Sequence, residues 1–211
     1  MTIAQSTAVK PATITPGFAD PVIEGQATFH AVMHALARPG ERRSITGVDG
    51  APTAIGPTIG AIALTLLDFE TNVYLDLDEP GRADVARWLK FHTGTRVSET
   101  METAAFAILG DGETLPPFEA FCQGSDTYPD RSTTLLIPVT GFEAGRRLQL
   151  KGPGIETTRD IQVEGIASDL AARLAANRDL FPRGVDLVFV APGEVIGLPR
   201  TTRVLDLTQG A

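Results

Sequence analysis

Phe181-Pro182-Arg183-Gly184-Val185-Asp186-Leu187-Val188-Phe189-Val190 carries a turn and then an uninterrupted apolar run, which reads as a strand. From Val185 onward three short strands follow in succession, the last over residues 204–207. Such a succession implies antiparallel pairing at one side of a sheet whose other strands alternate with helices. Between them, Gly197-Leu198-Pro199-Arg200-Thr201-Thr202-Arg203 sets two arginines around two hydroxyls, a group of donors suited to an anion. The plain alternative is that Arg200 and Arg203 lie on a solvated strand face and pair with nearby carboxylates, an arrangement worth roughly 0–1 kcal/mol.

Upstream, Phe29, Val32, Met33 and Leu36 fall at helical spacing within residues 26–37, and Pro39-Gly40 stops the run. Gly56-Pro57 opens a second helix over 59–67 whose apolar character on nearly every face implies burial. Residues 72–77 read as a strand, and Glu79-Pro80-Gly81 turns the chain into a helix over 84–91. Further strands are expected at 104–109, 133–139 and 147–151, and a helix at 167–180 with Leu170 and Leu174 inward. Lys151-Gly152-Pro153-Gly154 reads as a tight turn after a strand. The fold class that follows is α/β, a single domain with a mixed sheet flanked by helices, over residues 18–211. Residues 1–17, with Thr, Ala, Ser and two prolines but no basic and no apolar region, read as a flexible arm and not a secretory signal.

A chain of 211 residues buries about 70% of its unfolded surface and needs no covalent staple. Its one cysteine, Cys122, is expected as a buried small hydrophobe. A net charge of −8 argues against a duplex-binding footprint, so no nucleic acid partner is expected. The least polar stretch, 51–67, is broken by Pro52, Gly56, Pro57 and Gly60 and falls short of a membrane span, so the protein is expected to be cytoplasmic. Fifteen arginines against three lysines suit planar contacts with carboxylate, phosphate or phosphonate, although a GC-rich gene gives the same bias.

Recognised catalytic sets are missing from the sequence. His30 and His34 have the spacing of a zinc pair, but Ala31 follows where a metalloprotease helix carries glutamate, and no third ligand stands out. Gly110-Asp111-Gly112 lacks the third glycine of a dinucleotide fingerprint, and no phosphate loop occurs. The hydroxyls of Ser132-Thr133-Thr134 have no histidine nearby in sequence. His92 ends a helix, where it either caps the carbonyls or meets an anion. For a pyridoxal phosphate Schiff base the lysines are Lys10, Lys90 and Lys151, of which only Lys151 is eligible.

Six stretches, in order, together resemble one family: Phe29-His30-Ala31-Val32-Met33, Leu36-Ala37-Arg38-Pro39-Gly40, Phe91-His92-Thr93, Gly152-Pro153-Gly154-Ile155, the run 181–187, and Leu198-Pro199-Arg200-Thr201-Thr202. From about Gly17 to Leu207 the chain resembles the phosphonate metabolism protein H family, a component of the bacterial carbon-phosphorus lyase system. The resemblance implies a role in using phosphonates as a phosphorus source. It implies a core complex with the G, I and J proteins of that system, and a homodimer when alone. In that family the G, H and I proteins, with an ATPase-like L protein, transfer the ribose triphosphate of ATP to an alkylphosphonate and release adenine; the J protein later breaks the carbon-phosphorus bond by radical chemistry. The implied fold is related to the pyridoxal phosphate-dependent transferases without the cofactor, so no cofactor is expected.

The resemblance carries over no catalytic residue. His92, Asp186, Arg200, Thr201, Thr202 and Arg203 stand as anion-binding candidates from their motifs alone. Three readings follow: an accessory subunit contributing to a composite site, an independent enzyme using His92 with Arg200, and a binding module for a small anion.

Overall fold

A computed structural model describes residues 14–208. The apolar run past Val185 forms strand β8 (Asp186–Ala191), in which Leu187, Val188, Phe189 and Val190 are all buried. Both faces are covered, which is why the run does not alternate with polar residues. Pro192-Gly193, with Gly193 at φ +77°, returns the chain as β9 (Glu194–Leu198), antiparallel to β8.

On its other side β8 pairs in parallel with β5 (Thr134–Pro138), followed by β4 (Phe106–Leu109), β2 (Asn72–Asp76) and β3 (Arg96–Val97). The two-residue β1 (Arg43–Ser44) covers β9, giving the order β1-β9-β8-β5-β4-β2-β3. A separate sheet of three antiparallel strands has the order β10-β6-β7, from β6 (Gly141–Lys151), β7 (Arg159–Glu164) and β10 (Arg203–Asp206).

Alternation along the central strands divides the core. Val188, Val190, Leu136, Ile108, Val73 and Leu75 pack under helices α1 (Pro21–Ala37), α2 (Gly56–Leu66) and α3 (Gly81–Thr93). Leu187, Phe189, Leu135, Ile137, Ala107 and Leu109 pack against the small sheet and α4 (Leu170–Asp179). The result is one α/β domain of three layers: three helices, a mostly parallel sheet, and a layer made of the small sheet with α4.

Local signals explain the helix bounds. Asp20 accepts hydrogen bonds from the N–H groups of Val22 and Ile23, and Pro21 follows it, so α1 starts five residues before the helix read from the sequence. Gly94 at φ +74° ends α3. Against β9, α1 comes so close that a Cβ on Gly197 would lie 2.6 Å from the Ala35 carbonyl carbon.

Several expectations are corrected. Of the apolar set read at helical spacing, Val32 is buried and Leu36 half-buried, but Phe29 and Met33 are 45% and 48% exposed; the buried stripe is Thr28, Val32 and Ala35, its centre about a quarter of a turn around the helix. The last of the three C-terminal strands does not extend the large sheet. Pro199 ends β9 without a ladder donor, Thr202 N–H bonds back to its carbonyl, and β10 leaves to pair with β6. Strand β7 is an addition to the elements expected from the sequence. Cys122 is half-buried, with its thiol donating to the Arg131 carbonyl. Of the expected arm, residues 1–13 lie outside the described residues. Thr15 is tied down: its hydroxyl donates to the Gly50 carbonyl, and its own carbonyl accepts from Trp88 Nε1 at 3.2 Å. Among the described residues no helix is long and apolar enough to cross a membrane.

Candidate functional site

Asp186 opens β8, and Arg200 lies in the turn that ends β9. The β8–β9 register sets Leu187 against Leu198; carried one pair further, it brings Asp186 beside Pro199 and its neighbour Arg200. Arg200 Nε donates to Asp186 Oδ1 at 3.1 Å and Nη2 to Oδ2 at 2.5 Å, while the Arg200 backbone N–H reaches Oδ1 at 2.8 Å. Nη1 donates to the Pro129 carbonyl at 2.6 Å. The two side chains are 12% and 21% exposed. Arg200 does pair with a carboxylate, as the plainer reading of the sequence has it, but within the protein and not on a solvated face. Its fork is engaged by that carboxylate and a carbonyl, so the group serves as a clasp between three segments of chain.

The other candidates spread out. Thr202 is buried, and among the described residues its hydroxyl has no hydrogen-bond partner; Thr201 is half-buried. Arg203 is exposed on β10, opposite Lys151, and borders a cavity of about 270 Å³ with Arg178 and Asp179. His92 lies on α3, in the helix layer on the opposite face of the large sheet from β10. Its Nε2 sits 3.0 Å from the Thr15 carbonyl and its ring packs 4.9 Å from Trp88. The structure therefore joins Asp186 with Arg200 and leaves His92 and Arg203 on separate layers. His30 and His34 stack with ring centroids 6.4 Å apart, and among the described residues no three His, Cys, Asp or Glu side chains are grouped to hold a metal ion.

The opposite edge of the large sheet holds a feature that the sequence motifs do not announce. The crossover from β2 through α3 places β3 on one side of β2, whereas β4 lies on the other, so strand order reverses between β2 and β4. Beyond the carboxyl ends of these two strands is a cavity of about 760 Å³, bordered by Asp76, Leu77, Asp78, Asp111, Leu115 and Pro116, among others. Burial pushes the Asp76 carboxyl above the usual range, and the neighbouring Asp78 charge adds to the rise. Asp111 is held below that range by the Glu113 N–H and the Thr114 hydroxyl, at 2.9 and 2.7 Å. A Cβ on Gly110 would lie 2.8 Å from the Asp76 carbonyl oxygen, so glycine lets the two strand ends approach. The one legible signal is an aspartate at or just past the end of each of two apolar strands.

The model of the bacterial phosphonate metabolism protein (PhnH) family matches residues 16–205. The alpha-D-ribose 1-methylphosphonate 5-triphosphate synthase subunit PhnH of Rhizobium meliloti (strain 1021) is 40% identical over 187 residues, covering 89% of this chain and 93% of that protein. The putative C-P lyase subunit protein HtxG of Stutzerimonas stutzeri is 33% identical over 180 residues, 85% of each chain. The match takes in both sheets, the Asp186–Arg200 clasp and the crevice beyond β2 and β4, and on that extent this chain belongs to the bacterial phosphonate metabolism protein (PhnH) family.

Proposed function

We propose that this chain is the H component of a carbon-phosphorus lyase system. In this reading it is required, with the G, I and L proteins, for transfer of ribose triphosphate from ATP to an alkylphosphonate with release of adenine. The observation that carries the reading is the 40% identity, over nearly the whole of both chains, to a protein named as a subunit of such a synthase. The chain's role is that of an accessory subunit, a homodimer when alone and a member of a cytoplasmic core complex with the G, I and J proteins. Arg200 spends its donors on Asp186 and Pro129, and His92 spends Nε2 on Thr15, which favours a supporting role over self-sufficient catalysis.

Kinship with the pyridoxal phosphate-dependent transferase fold, without the cofactor, belongs to the same proposal. A mostly parallel seven-stranded sheet between two covering layers is compatible with that kinship. Lys90 is exposed on α3 and Lys151 ends a strand of the small sheet, which leaves neither at the carboxyl edge of the large sheet where a Schiff base would be sought.

Coexpression with the G, I, J and L counterparts from the same source tests the proposal, by native mass spectrometry and by adenine release from ATP and methylphosphonate. Expected is a mixed assembly whose adenine release requires this chain. A chain that stays out of the assembly, or that turns over both substrates alone, overturns it. A second reading, an independent small-anion binder, draws on the cavity shared by Arg178 and Arg203. Calorimetry of the purified chain with phosphate, methylphosphonate and ATP decides it: heat that disappears with Arg203→Ala supports the reading, and no heat removes it.

A further inference from the structure

The crevice beyond β2 and β4 has a location and a lining that call for a ligand unlike the anions of the proposed reaction. In open α/β sheets the loops leaving adjacent parallel strands diverge where strand order reverses, and ligands bind in the gap outside the carboxyl ends. The gap here is about 760 Å³, within the range of small-molecule sites, and the smaller crevice bordered by Pro138 and Thr140 continues it along the same edge.

The lining decides the chemistry. Asp76, Asp78 and Asp111 supply acceptors, Leu77, Leu115 and Pro116 supply apolar wall, and among the described residues no lysine, arginine or histidine borders the cavity. Among the described residues none of the three aspartates lies in an ion pair. A cationic neighbour would lower the Asp76 carboxyl, whose displacement is upward. Carboxylates without a cationic partner among the described residues repel phosphonate and triphosphate, and the three border the cavity without being grouped closely enough to hold a bare metal ion.

We infer that the crevice between the carboxyl ends of β2 and β4 binds an alkylammonium or alkylguanidinium group, its charge on the aspartates and its chain along Leu77, Leu115 and Pro116. Two sources share this chemistry: a free organic amine, or a lysine or arginine side chain of a protein in the same assembly. The second source rests on the assembly proposed above; the first does not.

Two arms test the inference. In the first, agmatine is titrated into the isotopically labelled chain alone and amide shifts are followed. Expected are saturable shifts at Asp76, Leu77, Gly110 and Asp111, an affinity that falls about tenfold with Asp78→Asn and again with Asp76→Asn, and no shifts there with methylphosphonate or ATP. In the second, the same folded variants are coexpressed with the G, I, J and L proteins, and a salt-sensitive loss of assembly identifies a side chain of one of them as the source. The inference is overturned if agmatine leaves those amides unmoved and both variants assemble as the wild type does, or if ATP shifts them more than agmatine. A wild-type chain that fails to assemble sinks the proposed membership of the complex and leaves the agmatine arm to decide the crevice.

Discussion

The carboxylate of Asp186 and the guanidinium of Arg200, fourteen positions apart in sequence, make a two-point contact where the chain passes from the large sheet to the small one. The contact stands beside a third bond, from Arg200 to the Pro129 carbonyl, and most of its surface is shielded from water. Replacing Arg200 by alanine leaves a part-buried carboxylate and a carbonyl short of donors. Arg200→Ala is expected to lower stability by about 2–4 kcal/mol in urea titration. Arg203→Ala, on an exposed position of β10, is expected to change it by less than about 0.5 kcal/mol. Equal effects would mean that Arg200 is not a clasp.

Asn177 offers a second strut. Its side chain, buried at 3% exposure, donates to the Val185 carbonyl at 2.9 Å and accepts from the Val185 N–H at 2.8 Å, pinning the entry to β8 onto α4. Asn177→Ala leaves both backbone groups unpaired inside the protein. The expected loss is about 2–4 kcal/mol, with faster hydrogen exchange at Val185 as the local signature.

Gly197 fixes the distance between α1 and β9. An alanine there meets backbone atoms of Ala35 and Leu36 at 2.6–2.7 Å, which rotamer changes cannot relieve. Gly197→Ala is expected to cost about 1–3 kcal/mol and to shift amide resonances along α1 while leaving those of β7 in place. A variant with native α1 signals would show that the contact yields.

Asp76 predicts a dependence on pH with a definite sign. Its folded carboxyl is raised, first by burial and then by Asp78, so the ionised form is less favourable in the folded chain than in the unfolded one. The penalty is full at neutral pH and vanishes once the unfolded carboxyl, at about pH 3.9, is also protonated. Asp76→Asn is therefore expected to stabilise the chain at neutral pH, by a margin that shrinks as pH falls toward about 4. Urea midpoints at both ends of that range check it, and a gain that grows on acidification would reverse the assignment.

Much of the frame is legible because burial on both faces leaves a mark in sequence: β8 shows it as an unbroken Leu187-Val188-Phe189-Val190. The helices are legible too, though Phe29 and Met33 mislead, since a helix with apolar residues on two faces does not say which one meets the sheet. The two-residue β1 and β3 carry no periodicity to read, and β7, with only Ile161 and Val163 buried, alternates too briefly to stand out. The pairing of Asp186 with Arg200 is within reach of a hairpin register, but each residue taken alone reads as an anion contact. The crevice is out of reach. Asp76 and Asp111 become neighbours through the parallel pairing of β2 with β4, which sets Asp76 against Leu109, and nothing local encodes that order.

The large sheet ends on both sides in strands of two residues, and the chain around β1 adds cover for β9 through Gly40 N–H to the Gly197 carbonyl and Ile45 N–H to the Gly193 carbonyl. Edge strands this short offer another chain little ladder to continue. Recognition through these edges by β-augmentation is thereby discouraged, and with it the edge-to-edge growth that leads to fibres. Whatever associates with this domain has to read side chains on the covering layers and loops, which evolution can retune one residue at a time without disturbing the strands beneath.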